Sequence, residues 1–490
     1  MNILMVAPES VPFVKVGGLA DAVGSLAQAL SKKGHDVRIV IPKYHNLKHF
    51  DSASLLEDPL MQVQLGAEDT YTRVWETIYP DCSAKVYFLE YEMYFGSGDV
   101  YCGPSGVEED NGFRFAFLSR GALDLCNHLK WVPDIIHCHD WATGLVSAFL
   151  NTKEFNEPLG RAASIMTIHN LQHQGYCPQP VLNYAGLPST LFRQDGYESH
   201  GQVNMLKGSI YHSTKISTVS PTYAKEIQTS EYGCGLESVT RFRSPDLIGV
   251  INGIDTTEWN PSTDPLIIEN FSVGELEGKS KCKKDIQSIY GLDEDDGVPL
   301  FVVVSRLYGQ KGLDLLLQIS DRLMHETNIQ IALVGTGDVK LENAFIHLSQ
   351  KYPKRFSALI KFDNALAHQT IAGGDFLLMP SRFEPCGLSQ MYAMQYGTIP
   401  IVRCTGGLGD TVPVYPEDWS KGCGFNFTNI DAIEFMNAII QASQCYTDDK
   451  QTFLSMQANG MKMDFSWNIS AEKYEALYGW AIDARKQAFA

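Results

Sequence analysis

No stretch of the 490 residues stays apolar for long enough to cross a membrane, so a bilayer-spanning role is not expected. The start also lacks a basic segment followed by an apolar core. Met1-Asn2 runs directly into Ile3-Leu4-Met5-Val6-Ala7. No signal or transit peptide is read there, and a cytoplasmic location is expected, or a plastid stroma if this is a mature form. Positive charge is scarce. Lys and Arg total 39 against 57 Asp and Glu, a formal net charge of −18. Such a field disfavours nucleic acid and anionic membrane, so neither is an expected partner. It still allows an anionic small molecule where cations gather locally. The 11 cysteines are odd in number and show no framework spacing, which suits free thiols in a reducing compartment. Short-period repeats and low-complexity tracts are missing. Nothing in the sequence bears on oligomeric state.

What is present is a recurring beat. The apolar run at residues 3–7 reads as a buried strand. It is followed by "VPFVKVGGLADAVGSLAQAL", in which Leu19, Ala20, Val23, Leu26, Ala27 and Leu30 fall at helical spacing. A helix N-terminus offers free N–H groups, and glycines let a phosphate approach closely. Lys15, Gly17 and Gly18 are therefore read as a phosphate site, although a lone Gly-Gly also serves as a tight strand-to-helix turn. The stretch is neither the G-x-G-x-x-G fingerprint nor a P-loop. The beat recurs at "DIIHCHDWATGLVSAFL", "SIMTIHN", "KISTVSPTYAKEI" and "LIGVINGID". In the third of these, Ser220-Pro221 reads as an N-cap followed by proline at the first helical position.

Between about Asp255 and Asp296 the pattern weakens, then restarts with "LFVVVSRL", "IQIALVGTGD", "DFLLMPSRFEPCGL" and "TIPIVRCTGGLGD". At this length two or more domains are expected. The chain reads as α/β, with two doubly wound parallel sheets facing a cleft and ligands outside the carboxyl ends of the strands. The expected domains are 1–254, completed by a C-terminal helix at 470–490, and 255–469.

The loops carry the chemistry. Arg306 and Lys311 flank a strand end and a helix start, which suits either a diphosphate leaving group or an ordinary solvated loop. "CTGGLGDT" adds Thr405, Gly406, Gly407 and Thr411 as possible anion ligands. Glu384 precedes a helix near Gly387, where it can cap the helix or accept hydrogen bonds from sugar hydroxyls. In "HCHDW", a metal site on His137, His139 and Asp140 lacks a supporting third-ligand spacing. Burial of His137, with His139 and Asp140 at the cleft edge, is favoured. His169-Asn170 suits acid/base work or hydrogen bonding to a ligand.

The segments "KVGGLAD", "HDW", "IHNLQHQG", "TVSPTYAKEI", "NGIDTTEWNP", "SRLYGQKGLDLL", "SRFEPCGLSQ" and "CTGGLGDTV" occur in one order. Together they resemble the bacterial-type glycogen and starch synthases, glucosyltransferases of family 5 that use ADP-glucose, across nearly the whole chain. The resemblance implies a GT-B fold and retaining transfer to an α-1,4-glucan (maltooligosaccharide, glycogen or starch). No metal or cofactor is implied, ADP-glucose being a substrate. It also implies that Lys15, Gly17 and Gly18 approach the donor diphosphate and that Arg306 and Lys311 stabilise departing ADP. Glu384 holds donor glucose beside Cys386, Gly387, Leu388 and Ser389. His169 and Asn170 line the glucose pocket near Asp140, and Asn252 joins the donor-binding set. Asp21 lies near the acceptor. Tyr94 and Phe95 of "YFGSGDVY" and Asn111 and Arg114 of "EEDNGFRF" form an acceptor-side loop.

This chain departs from the family pattern at Ala22, Ala142 and Ser389, where valine, a polar residue or His, and threonine are common. The wider GT-B pattern has a second glutamate eight residues after Glu384; here it is Tyr392, as in synthases of this type. A glycosidase would need a second carboxylate across the scissile bond. A non-catalytic glucan-binding scaffold would bind glucan without releasing ADP. A dehydrogenase lacks its fingerprint.

Overall fold

A computed structural model describes residues 1–66, 70–103 and 110–489. Glu108 and Glu109 of the expected acceptor-side loop, and Ala490, lie outside these. The chain divides into two compact units, Met1–Gly253 with Trp467–Ala490, and Ile254–Ser466.

In the first unit, strands β1 (Asn2–Val6), β2 (Asp36–Pro42), β3 (Ser54–Val63), β4 (Thr70–Ile78), β5 (Lys85–Glu90), β6 (Ile135–His139) and β7 (Ala163–Ile168) join one sheet. A small separate sheet holds β8 (Tyr176–Cys177), β9 (Glu198–Ser199) and β10 (Gln202–Asn204). The main sheet is completed by β11 (Lys215–Thr218) and β12 (Leu247–Gly249), in the order β12-β11-β7-β6-β1-β2-β5-β4-β3. From β12 to β5 every pairing is parallel, but β5–β4 and β4–β3 are antiparallel. The all-parallel expectation is corrected at this edge. The links from β3 to β4 and from β4 to β5 are too short for a crossover, which takes a dozen residues or more.

Residues 3–7 are buried on both sides, as a central parallel strand requires. The helix Gly18–Lys32 follows, its apolar stripe packed inward. Ser220 caps the helix Pro221–Glu226, its hydroxyl accepting from the Tyr223 N–H at 2.9 Å. The last helix, Trp467–Gln487, belongs to this unit. Ser470 Oγ donates to the Ile251 carbonyl at 2.6 Å, and the buried Arg485 donates to the Gly160 carbonyl and to Asn151 Oδ1.

The second unit is a parallel sheet of β13 (Leu300–Val304), β14 (Gln330–Gly335), β15 (Phe356–Ile360), β16 (Phe376–Met379), β17 (Ile399–Arg403) and β18 (Phe425–Phe427), ordered β15-β14-β13-β16-β17-β18. Its core joins Phe301, Val303, Ile331, Leu333 and Phe376 to Leu316, Ile319 and Leu323 of the amphipathic helix Leu313–Glu326. The direction of the strands places the loops after β13, β15, β16 and β17 at one edge, where α/β sheets bind ligands.

Candidate functional site

In the first unit the loop after β1 closes on Glu9, only 2% exposed. One carboxylate oxygen accepts from the N–H groups of Val16 and Gly17 (the latter at 3.2 Å), and the other accepts from the Tyr101 hydroxyl at 2.9 Å. Burial raises the Glu9 carboxyl above its ordinary range, and these three donors oppose that rise. The phosphate reading of this loop is therefore narrowed. The Gly17 amide already serves an internal carboxylate, and Lys15 pairs with Asp21 at 2.8 Å while staying exposed. Gly18 opens the helix. Sequence reasoning passed over Glu9 because two of its three donors are backbone amides, which leave no mark in residue type.

At the ends of β6 and β7, His137, His139, Asp140 and His169 come together. Asp140 takes φ 56°, in the left-handed region that a non-glycine residue adopts at some cost. Its Oδ1 accepts the His169 N–H at 2.7 Å. Burial pushes the Asp140 carboxyl up to about 7, opposed by backbone N–H groups of His169 and Asn170. Burial holds His137 and His169 at about 3, and His139 well below its ordinary value. His139 is buried, not at an edge as expected, because it is the last inward residue of a central strand. Among the described residues no group of three or more His, Cys, Asp or Glu side chains could hold a metal ion. Asn170 is half-buried beside His169 and accepts the Gln172 N–H through Oδ1. Asn252 is buried, and its Oδ1 has no protein partner among the described residues.

The expected acceptor-side residues turn inward. Phe95 is 0% exposed, packed on Tyr44 and Phe117. Arg114, also 0% exposed, donates to the carbonyls of Tyr94, Val100 and Asp99 and to Asn111 Oδ1. Asn111 in turn donates to the Tyr101 carbonyl at 2.7 Å. These three residues shape the 94–101 segment from beneath and offer no side chain to a ligand. Tyr94, half-buried, donates to the Tyr184 hydroxyl at 2.9 Å. Ala142 and Ala22 are buried.

In the second unit, Arg306, Lys311, Ser381 and Ser389 line one pocket at the carboxyl edge. Gly312 follows Lys311 at φ +64°, and a Cβ there would strike the Pro380 carbonyl, so glycine lets the two loops touch. Lys311 Nζ lies 2.6 Å from Glu384 Oε2, which also accepts from the Ser381 hydroxyl at 3.0 Å. Glu384 therefore does not cap the next helix, whose N-cap Leu388 has no side-chain cap. Arg382 grips Asp314 through two bonds of 2.7 and 2.8 Å, and the buried Arg403 donates to the Ser381 carbonyl at 2.8 Å. The loop is thus rigidly held.

The glycine loop after β17 does not present itself as an anion cradle. The Gly407 N–H donates to the carbonyls of Glu384 and Pro385. Gly406, at φ +46°, abuts the Glu384 carbonyl so closely that a Cβ would collide with it. Thr405 and Thr411 are buried, and the Thr411 hydroxyl donates to the Gly407 carbonyl and accepts from Gln390. Gln390 also donates to the carbonyls of Cys386 (itself buried) and Gly387. These residues brace the Glu384 loop from behind because two sheet loops pack there face to face. Leu388 and Ser389 remain half-buried. Tyr392, in place of the second glutamate, stacks on Trp259 at 3.8 Å between ring centroids. Phe362 is a further residue that the sequence did not single out. It lies two residues past β15 and is 90% exposed on the same edge. A lone aromatic in "KFDNAL" gives no pattern to find it by.

Residues 2–242 match the family described as the starch synthase catalytic domain, and residues 286–453 match glycosyl transferases group 1. Glycogen synthase 1 of Geobacter sulfurreducens is 43% identical over 489 residues, covering 99% of this chain and 97% of that protein. Glycogen synthase of Thermotoga maritima is 42% identical over 487 residues, covering 98% and 99%. The catalytic domain of starch synthase IV from Arabidopsis thaliana, bound to ADP and acarbose, superposes with a TM-score of 0.89 at 35% identity, covering 98% of this chain and 99% of that one. Two α/β units built on largely parallel sheets, matched end to end in this way, are those of the GT-B fold, and the chain belongs to the glycogen and starch synthase family of glycosyltransferases.

Proposed function

We propose that this protein moves glucose from ADP-glucose to the non-reducing end of an α-1,4-glucan with retention of configuration, in the cytoplasm. The observation that carries the reading is the pocket of the second unit, where Arg306 and Lys311 stand beside Ser389 and beside Ser381, whose loop Arg403 braces. The C1–O bond to the β-phosphate breaks, and the two cations take up the charge on ADP. Preorganised charge of this kind supplies the greater part of the rate enhancement in many enzymes. No metal is assigned to this step in the present reading. The acceptor hydroxyl attacks C1 from the face that ADP leaves, and its proton passes to a phosphate oxygen. No enzyme carboxylate is assigned as a nucleophile. Glu384 steers Lys311 and faces the donor sugar. In this reading the first unit's candidates are Asp140, His169, Asn170 and Asn252 for the donor sugar, Lys15 and Gly18 for the diphosphate and Asp21 for the acceptor. The exposed Phe362 ring suits stacking against the adenine base. Purified protein given labelled ADP-glucose or UDP-glucose, with and without a maltooligosaccharide primer, tests this. Primer-dependent α-1,4 extension from ADP-glucose is expected. Donor-independent glucan cleavage, or glucan binding without ADP release, would overturn it.

A further inference from the structure

His139 Nδ1 and His169 Nε2 lie 3.1 Å apart, so one proton is shared between two neutral rings. Burial lowers the pH at which either ring would take a second proton, so both are neutral near pH 7. The remaining nitrogen of His139, Nε2, is buried and has no protein partner among the described residues. Its neighbour His137 cannot serve it. The His137 ring lies tilted against it, 4.1 Å between centroids, with Nδ1 bonded to the Tyr478 hydroxyl at 2.8 Å and Nε2 to Thr167 Oγ1 at 2.5 Å.

Two arrangements remain. If His169 Nε2 donates, the His139 proton sits on Nε2, leaving a buried N–H with no protein acceptor. If His139 Nδ1 donates, the orphan at Nε2 is only a lone pair. Orphaned buried N–H groups are rarer than under-used acceptors, which selects the second arrangement. His169 then accepts at Nε2 and carries its own proton on Nδ1.

From this geometry we infer that His139 is a positioning residue that fixes the tautomer of His169, so that His169 meets the donor sugar with an N–H at Nδ1. The sugar-facing half rests on the proposed function; the tautomer does not. The device needs a hydrogen-bond donor at the place of His139 Nδ1, because a hydrophobic side chain there would leave His169 free to place its proton on either nitrogen.

The test is long-range ¹H–¹⁵N correlation on the full chain carrying ¹⁵N-histidine, with His169 assigned by loss of its signals in His169→Gln. The expected wild-type pattern is a protonated Nδ1 and an unprotonated Nε2 at His169; the reverse pattern overturns the inference without recourse to any buried variant. His139→Phe is expected to give mixed His169 tautomers and to lower kcat/KM for ADP-glucose about tenfold, the effect of one lost hydrogen bond. His139→Asn, whose side-chain amide stands near the Nδ1 position, is expected to restore most of both. A folded His139→Phe protein with an unchanged His169 tautomer would overturn the inference. If the tautomer is as expected but His169→Gln turns over ADP-glucose normally, the tautomer stands and the placement of His169 against the sugar falls.

Discussion

Lys311 Nζ, which belongs to a residue lining the pocket, sits 2.6 Å from Glu384 Oε2, joining residues 73 apart in sequence. The lysine is thus aimed by a carboxylate that also competes for its charge. Lys311→Ala should lower turnover about a hundredfold or more. Glu384→Gln should also slow transfer, yet tighten ADP binding by about tenfold, because the competing anion is gone. Calorimetric titration with ADP checks this; weaker ADP binding in Glu384→Gln would remove the competition.

The three hydrogen bonds into Glu9 hold the loop that leads to Gly18. Glu9→Ala leaves two backbone N–H groups and a tyrosine hydroxyl without their acceptor. A stability loss of about 1–3 kcal/mol is expected, with a raised KM for the sugar nucleotide. Glu9→Gln should lie between, since its oxygen still accepts from the two amides. Thermal melts and donor saturation curves read both effects.

Acid should weaken the first unit through its buried imidazoles. His137 and His169, held at about 3, stay neutral while the unfolded chain takes up protons below 6.5, so stability is lost as pH falls through that value. Each contributes a loss of about 2 kcal/mol on going to pH 5. Asp140, raised to about 7, acts in the opposite sense, because the folded state keeps its proton while the unfolded state has lost its own. Asp140→Asn should therefore steepen the loss between pH 7 and 5. Urea unfolding at several pH values measures the slope, and an unaltered slope would place the Asp140 carboxyl in its ordinary range.

Phe362→Ala removes a ring that is 90% exposed, so the fold should be untouched. If the ring covers adenine, KM for ADP-glucose should rise about tenfold, the scale of one base–aromatic stack, with kcat little changed. Initial rates against ADP-glucose decide it.

Much of this architecture was legible in the sequence, and the exceptions have physical causes. The buried run at residues 3–7, the glycines before Leu19 and the Ser220-Pro221 cap are local signals, and each marks the element it foretells. The hairpin of β3 and β4 was not read. Its strands carry a register shift between Leu55 and Leu60 and expose several apolar side chains, which blurs the alternation. The acceptor-side loop was misjudged for another reason. A motif records which residues occur together, but not whether Arg114 points outward or lies under the chain, donating to three carbonyls. The His139–His169 contact joins neighbouring strands 30 residues apart, a separation that only strand order reveals.

The assignment of Trp467–Gln487 to the first unit makes the second an insertion. Gly253 would crowd the Trp467 backbone if it carried a side chain, so the two cut ends of the host lie side by side. Residues 254–466 can be excised as one uninterrupted gene fragment, whereas the host must be re-spliced from 253 to 467, and a few linking residues suffice. A stop codon placed before Trp467 deletes less than a twentieth of the chain, yet it strips Tyr478 from His137 and Arg485 from Gly160.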